Sequence, residues 1–250
     1  MTKKNNLFIL LSLLTLNCFG QYKTQDSLTI KKGIKFKYEA LIIPSALILY
    51  GIIGLESHTL KNINADTKTE LTEHIDKKFT VDDFSQYSAF LSVYGLNAAG
   101  IKGKNNFKDR TIILTSAYLI MGTTVNIIKS TGNEMRPDGT SNNSFPSGHT
   151  ATAFMGAEFL YQEYKDVSVW YGISGYLVAA GTGFFRMYND RHWFSDVAAG
   201  AGIGILSTKI AYWIHPLISE TLFRKKENLN GVIMPIYNGK QYGLAMSMSF

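Results

Sequence analysis

Three groups of residues in this 250-residue chain are of types that hold and transfer phosphate. The first is Lys129 with Arg136-Pro137 seven positions on, the second is Pro146-Ser147-Gly148-His149, and the third is Arg186, His192 and Asp196. An arginine fork matches two phosphate oxygens at once, and a lysine adds a mobile point charge. His192 and Asp196 stand four apart, so in a helical first turn they share a face. The carboxylate can then accept from one ring nitrogen and leave the other free to attack. His149 supplies a second imidazole, able to protonate a departing alkoxide. Nucleophile, orienting carboxylate, acid and cationic cradle are all side chains, so the set calls for no metal and no cofactor.

Apolar runs separate these groups and must position them. Residues 111–128 form an uncharged run that delivers Lys129 at its C-terminal end, and residues 130–144, rich in Gly, Asn, Ser and Asp, read as loop. Residues 148–164 read as a helix whose first turn holds the second group. Residues 167–185 form another uncharged run ending at Arg186, with Gly172, Gly175, Gly181 and Gly183 allowing close packing. A short loop over 187–194 precedes a helix over 195–214, with Ser195 as N-cap, Gly200, Gly202 and Gly204 on a tightly packed side, and His215-Pro216 expected to break or kink it. If successive helices run antiparallel, two C-termini and two N-termini bring all three groups to one end of a bundle. The two N-termini add unpaired N–H groups and positive dipole ends that favour an oxyanion there.

Taken singly, a cation at a helix end is ordinarily a solvated dipole partner, and a His–Asp pair at this spacing an ordinary surface contact. Three groups in register are far more specific. They resemble the type 2 phosphatidic acid phosphatase and vanadium haloperoxidase superfamily, in which the same clusters occur in this order. The clusters cover residues 129–196, and the flanking helices extend the resemblance to most of residues 85–215. The resemblance implies that Lys129, Arg136 and Arg186 bind phosphate together with Ser147 and Gly148, the latter through its backbone N–H. It makes His149 the general acid, His192 the nucleophile that becomes a phosphohistidine, and Asp196 its partner. One departure is Phe185, which stands where the family usually has a small residue before the arginine; it would shape the pocket wall without touching the chemistry. The implied reaction is hydrolysis of a phosphomonoester or terminal diphosphate on a lipid-linked substrate: phosphatidate, phosphatidylglycerol phosphate, a polyprenyl diphosphate or a lipid A type anchor. Three rivals stay open: an exported acid phosphatase acting on small soluble esters, a vanadate-dependent haloperoxidase, and a catalytically silent membrane packing protein.

Around this stretch the chain reads as four parts. Lys3 and Lys4 precede the apolar residues 7–16, and Gly20 follows, a pattern expected of a signal peptide over 1–20. Cys18, the single cysteine, offers an alternative lipid-attachment point and excludes an intrachain disulfide. Residues 21–40 form a basic lead-in, residues 41–222 the helical domain, and residues 223–250 a β tail with an Asn238-Gly239 hairpin turn. Within the domain, residues 41–55 and 88–101 read as further apolar helices, and the charged stretch 56–86 as an exposed, partly helical connection. The expected fold is therefore all-α, an antiparallel bundle of about five or six helices with its site at one end. His58, His74, His215 and Asp138 are assigned no chemistry, nor are Tyr188, Asn189, Asp190, Arg191 and Trp193 beside the nucleophile.

The net charge of +6 would suit an anionic partner. The lysines gather beside apolar segments, at 31–37, 102–108 and 225–226, as flanks that meet headgroups do, which argues for a membrane surface or bilayer and against nucleic acid. With 18% charged residues the chain is poorer in charge than an average soluble domain, although its mean hydropathy is zero. If the apolar runs cross a bilayer, the lysines fall opposite the site, so the catalytic end would face the extracytoplasmic, periplasmic side of a cell-envelope membrane. A cleaved leader conflicts with this alternation if residues 41–55 also cross, which leaves an integral bundle and an exported domain resting on a membrane both open. Nothing in the sequence sets an oligomeric state.

Overall fold

Helices form over the apolar runs and over part of the charged stretch 56–86, and serine or asparagine starts several of them. The computed structural model describes residues 38–73 and 78–223, together with two strands, 230–237 and 242–249. The expected leader, Cys18, the basic lead-in up to residue 37, His74 and the Asn238-Gly239 turn lie outside the described residues.

After a 3-10 turn at Tyr38–Leu41 come α1 (Ile42–Glu56), α2 (His58–Thr72), α3 (Val81–Ala98), α4 (Phe107–Thr131), α5 (Gly148–Tyr164), α6 (Val169–Tyr188) and α7 (Phe194–Phe223). Ser57, Asn106, Ser147 and Ser168 cap α2, α4, α5 and α6, each side chain accepting from a backbone N–H of the first turn. The helical domain is all-α, as expected. Seven helices among the described residues exceed the five or six expected, because residues 56–86 hold the whole of α2 and the first turn of α3. Strands β1 (Asn230–Tyr237) and β2 (Tyr242–Ser249) pair antiparallel, with Asn230 opposite Ser249.

Two boundary expectations are corrected. Ser195 is not the N-cap of α7: the helix starts at Phe194, and the Asp196 carboxylate accepts from the Trp193 N–H at 2.9 Å. Ser195 instead faces α2, where its hydroxyl accepts from Asn64 Nδ2 at 2.9 Å and its N–H donates to Asn64 Oδ1 at 3.1 Å. Nor does His215-Pro216 end α7, which runs on to Phe223 with Pro216 inside it. Contacts to other helices hold this stretch: Tyr212 donates to Glu163 at 2.6 Å, and the His215 ring lies 3.2 Å from Asp109.

The centre of the bundle is α5, flanked by α3, α6 and α7. Ala151, Met155, Ala157 and Phe159 are all fully enclosed, so this helix buries every face. Helix α7 meets it backbone to backbone: a Cβ on Gly200 would sit 2.5 Å from the Ser147 carbonyl oxygen, and one on Gly204 would collide with that of Ala151. On the other side of α7, Gly51 of α1 approaches Ala199 equally closely. Among the described residues, three stretches are long and apolar enough to cross a membrane: Tyr38–Glu56, Phe107–Thr131 and Phe194–Thr221. Large apolar side chains such as Ile43, Leu119, Ile127 and Leu177 point outward from the bundle, so the protein is membrane-associated.

Replacing Gly204 with valine drives a branched side chain into the Ala151 backbone, which has no rotamer to yield. The expected outcome is a loss of about 1–3 kcal/mol or more, read as a lower Tm of the detergent-solubilised protein.

Candidate phosphate site at one end of the bundle

The last turn of α4 carries Lys129 and the last turn of α6 carries Arg186, while α5 starts at Gly148 and α7 at Phe194. These four termini, with the loop 132–147 between α4 and α5, meet at one end. The Ser147 N–H donates to the Asp196 carbonyl at 3.0 Å, which ties the start of α5 to the start of α7.

His192 is buried, with Nδ1 3.5 Å from Asp196 Oδ2. That oxygen is fixed twice more, by the Ser144 hydroxyl at 2.5 Å and the Trp193 N–H at 2.9 Å. The carboxylate is therefore held at the Nδ1 edge of the ring, and Nε2 has no hydrogen-bond partner among the described residues. Burial pushes the His192 imidazole down to about 4; Asp196 pulls the other way, and Arg186 and Lys129 add to the depression. At neutral pH the ring is uncharged, with a lone pair available.

Arg186 is also buried, and its guanidinium donates to Asp82 at 2.5 Å. The other Asp82 oxygen accepts from Asn189 Nδ2 at 3.0 Å, and Asn189 clasps the backbone of Phe79, just before α3, at both N–H and carbonyl. His149 Nε2 lies 3.0 Å from Asp83 Oδ1. Burial, with Arg186 nearby, lowers the affinity of the His149 ring for its proton, and the hydrogen bond to Asp83 partly offsets this. Lys129 donates to the carbonyls of Asn143 at 2.5 Å and Ser144 at 3.3 Å, and Arg136 Nε donates to Asn143 Oδ1 at 3.1 Å. A cavity of about 300 Å³ opens at this end, lined by Arg136, His149 and Arg186 together with Lys78, Arg191, Asp82 and Asp83.

Of the residues singled out by sequence, Arg136, His149 and Arg186 line the cavity, and Lys129 lies close enough to the buried His192–Asp196 pair to act on it electrostatically. Gly148 is the first residue of α5, where a backbone N–H has no intrahelical partner. Ser147 is not presented to the cavity. It is fully buried, its hydroxyl meets Thr150, and its N–H is taken by the Asp196 carbonyl. Sequence reasoning missed Asp82, Asp83, Ser144 and Asn189. Two acids ahead of an apolar run do signal a helix start, but nothing in the sequence says that this start docks on α6. The ligand atoms of Asp82, Asp83 and His149 lie within 4.8 Å of one another, a spacing that could hold a metal ion. Arg186 already supplies the positive charge against Asp82, so the group reads as an ion-pair network.

Residues 110–219 match the family described as the PAP2 superfamily. These residues belong to the PAP2 superfamily. The PAP2 segment contains all three clusters, whereas Asp82 and Asp83 lie ahead of it. Among similar proteins, the lipid A 1-phosphatase of Porphyromonas gingivalis is 37% identical over 225 residues, covering 81% of this chain and 51% of that protein. The chain thus spans about half the length of that relative. The bacitracin transport permease protein BcrC of Bacillus licheniformis is 35% identical over 77 residues, covering 31% of this chain and 36% of that one. Two crystal structures are similar: Aquifex aeolicus LpxE (24% identity, TM-score 0.45, 60% of this chain and 94% of that one), and the first transmembrane PAP2 type phosphatidylglycerolphosphate phosphatase from Bacillus subtilis (17% identity, TM-score 0.44, 74% and 99%).

Asp82→Ala removes the carboxylate that compensates the buried Arg186. The expected cost is about 3–5 kcal/mol, visible as a fall in Tm, while Asp83→Ala at the exposed neighbouring position costs far less.

Proposed function

We propose that this chain is a phosphatase that removes phosphate from a lipid-linked substrate through a phosphohistidine on His192. The observation that carries the reading is the convergence of Lys129, Arg136 and Arg186 with His149 and the buried His192–Asp196 pair at one end of an apolar bundle. Phosphate oxygens sit among the three cations and the free N–H at the start of α5. His192 Nε2 attacks phosphorus, and the bond to the ester oxygen breaks as His149 gives that oxygen a proton. A water, deprotonated by His149, then displaces the phosphate from His192. Asp196 holds the Nδ1–H and stabilises the charge that develops on the ring. Ser147 contributes by shaping the start of α5, and the scheme uses side chains and backbone alone.

The relative named lipid A 1-phosphatase makes the 1-phosphate of a lipid A the first substrate to test. Outward apolar faces beside the cavity would hold acyl chains at the membrane while the phosphate enters between the helix ends. The proposed orientation is extracytoplasmic, because Lys102, Lys104 and Lys108 lie at the other end of α4. The accompanying organisation is an export leader over 1–20, a lead-in to 40, the catalytic domain over 41–222, and a β-hairpin tail from 223 closed by Asn238-Gly239.

His192→Ala should lower phosphate release by about 10³-fold or more on any accepted substrate. On a panel of lipid A phosphate, phosphatidylglycerol phosphate, a polyprenyl diphosphate and p-nitrophenyl phosphate, the lipids should be preferred in kcat/KM. Equal efficiency on the soluble ester would contradict the lipid assignment.

The pH profile follows from the two imidazoles. His192 must be neutral to attack, and its depressed proton affinity puts the acid limb of kcat/KM near pH 4. His149 must be protonated to act as acid, so activity is lost as pH rises through its own lowered value. The optimum is therefore expected on the acid side of neutrality. Asp83→Asn removes an interaction that raises the His149 affinity, and should move the alkaline limb to lower pH while leaving the acid limb in place.

A further inference from the structure

At the opposite end of α4, the bundle holds a charge that the phosphate chemistry does not use. Arg110, in the first turn of α4, is 4% exposed. Its Nε donates to the Asn106 carbonyl at 3.2 Å, and its Nη2 to Asn97 Oδ1 at 2.7 Å and to the Asn105 carbonyl at 2.6 Å. All of these acceptors are neutral, and among the described residues no carboxylate is paired with the guanidinium. The acids of this region make hydrogen bonds of their own. Glu163 accepts from Asn105 and Tyr212, and Asp109 from Asn106 with the His215 ring beside it. Neutral oxygens satisfy the N–H groups of this buried arginine, and the nearby buried Glu163 carboxylate reaches it only through Asn105, so a directly bound anion would stabilise its charge further.

Arg110 lines a cavity of about 760 Å³ between the end of α3 and the start of α4. Lys102 and Lys104, both exposed, line it as well, and among the described residues no acidic side chain does. The remaining wall is largely apolar, with the Tyr94 and Phe107 rings meeting edge to face at 5.9 Å. Phe107 is 71% exposed and is the first residue of a stretch long and apolar enough to span a bilayer. Twenty-five helical residues extend about 37 Å, long enough to set this cavity and Lys129 at opposite faces of a bilayer of ordinary thickness. A size within the range of ligand sites, three cations, an acid-free lining and an aromatic wall opening beside lipid together describe a headgroup site.

We propose that this cavity binds the phosphate headgroup of an anionic glycerophospholipid from the leaflet opposite the catalytic end. The phosphate sits against Arg110 between Lys102 and Lys104, and the acyl chains leave past Phe107 along α4. The site acts as an anchor that fixes the depth of α4 in the membrane and adds a direct counter-charge to the buried guanidinium. It does not depend on the proposed phosphatase chemistry.

The test is a titration of the full-length protein in dodecylmaltoside micelles with phosphatidylglycerol, phosphatidylcholine or soluble glycerol phosphate, reading Tm. Phosphatidylglycerol should raise the Tm of the unaltered protein saturably by several degrees, and the other two should leave it in place. Lys102→Ala/Lys104→Ala, both at exposed positions, should fold with an unchanged starting Tm, lose most of the phosphatidylglycerol shift and keep full phosphate release in lipid-free micelles. The proposal is overturned if the double variant retains the shift or if phosphatidylcholine matches it. A saturable rise with glycerol phosphate at the same concentration would equally overturn it, in favour of a soluble anion.

Discussion

The backbone contact between α5 and α7 is the constraint on which the rest depends. Glycines at 200 and 204 let the α7 backbone lie against the carbonyls of Ser147 and Ala151, and that approach aligns the starts of the two helices. Once they are aligned, the Ser147 N–H reaches the Asp196 carbonyl at 3.0 Å, His149 faces the cavity, and His192 is buried against Asp196. A side chain at either glycine would separate the two histidines that the proposed reaction needs to use in succession. The small residues therefore set the geometry of the site although none of them touches phosphate.

Charge is arranged around that frame in a graded way. Lys129, Arg136 and Arg186 would repel one another in a closed space, and the neighbouring acids temper this. Asp82 meets Arg186 directly, Asp83 meets the His149 ring, and Asp196 is enclosed beside His192. Asp82 and Asp83 come from the start of α3, outside the PAP2 segment, and Asn189 clasps that start onto α6. An arriving phosphate would compete with Asp82 for the guanidinium, so ligand entry and the docking of α3 are linked through one ion pair.

Much of this was legible in the sequence because the signals were local. The boundaries of α5 coincide with the expected 148–164, which follow a loop rich in turn-forming residues, and the cationic ends of α4 and α6 follow from the alternation of apolar runs and loops. What was not legible depends on partners distant in sequence. The charges of residues 56–86 suggested solvent, yet Asp82 is buried because Arg186 and Asn189 receive it, and Asn64 is buried because Ser195 does. Ser147 belongs to a phosphate-type motif by position, but its N–H and hydroxyl are engaged within the helix ends. Pro216 signals a helix end by its chemistry, and α7 continues because Tyr212 and His215 are gripped by neighbouring helices.

The central claim is that the end where α4, α5, α6 and α7 meet transfers phosphate to His192. It is tested most directly by rapid quenching of the protein with a radiolabelled lipid phosphate substrate, followed by peptide mapping of any label. The account predicts a base-stable, acid-labile phosphate on His192 that is absent in His192→Ala and accumulates when His149 is replaced and the departing group needs no proton. Turnover without any protein-bound phosphate, or label on another residue, would contradict it.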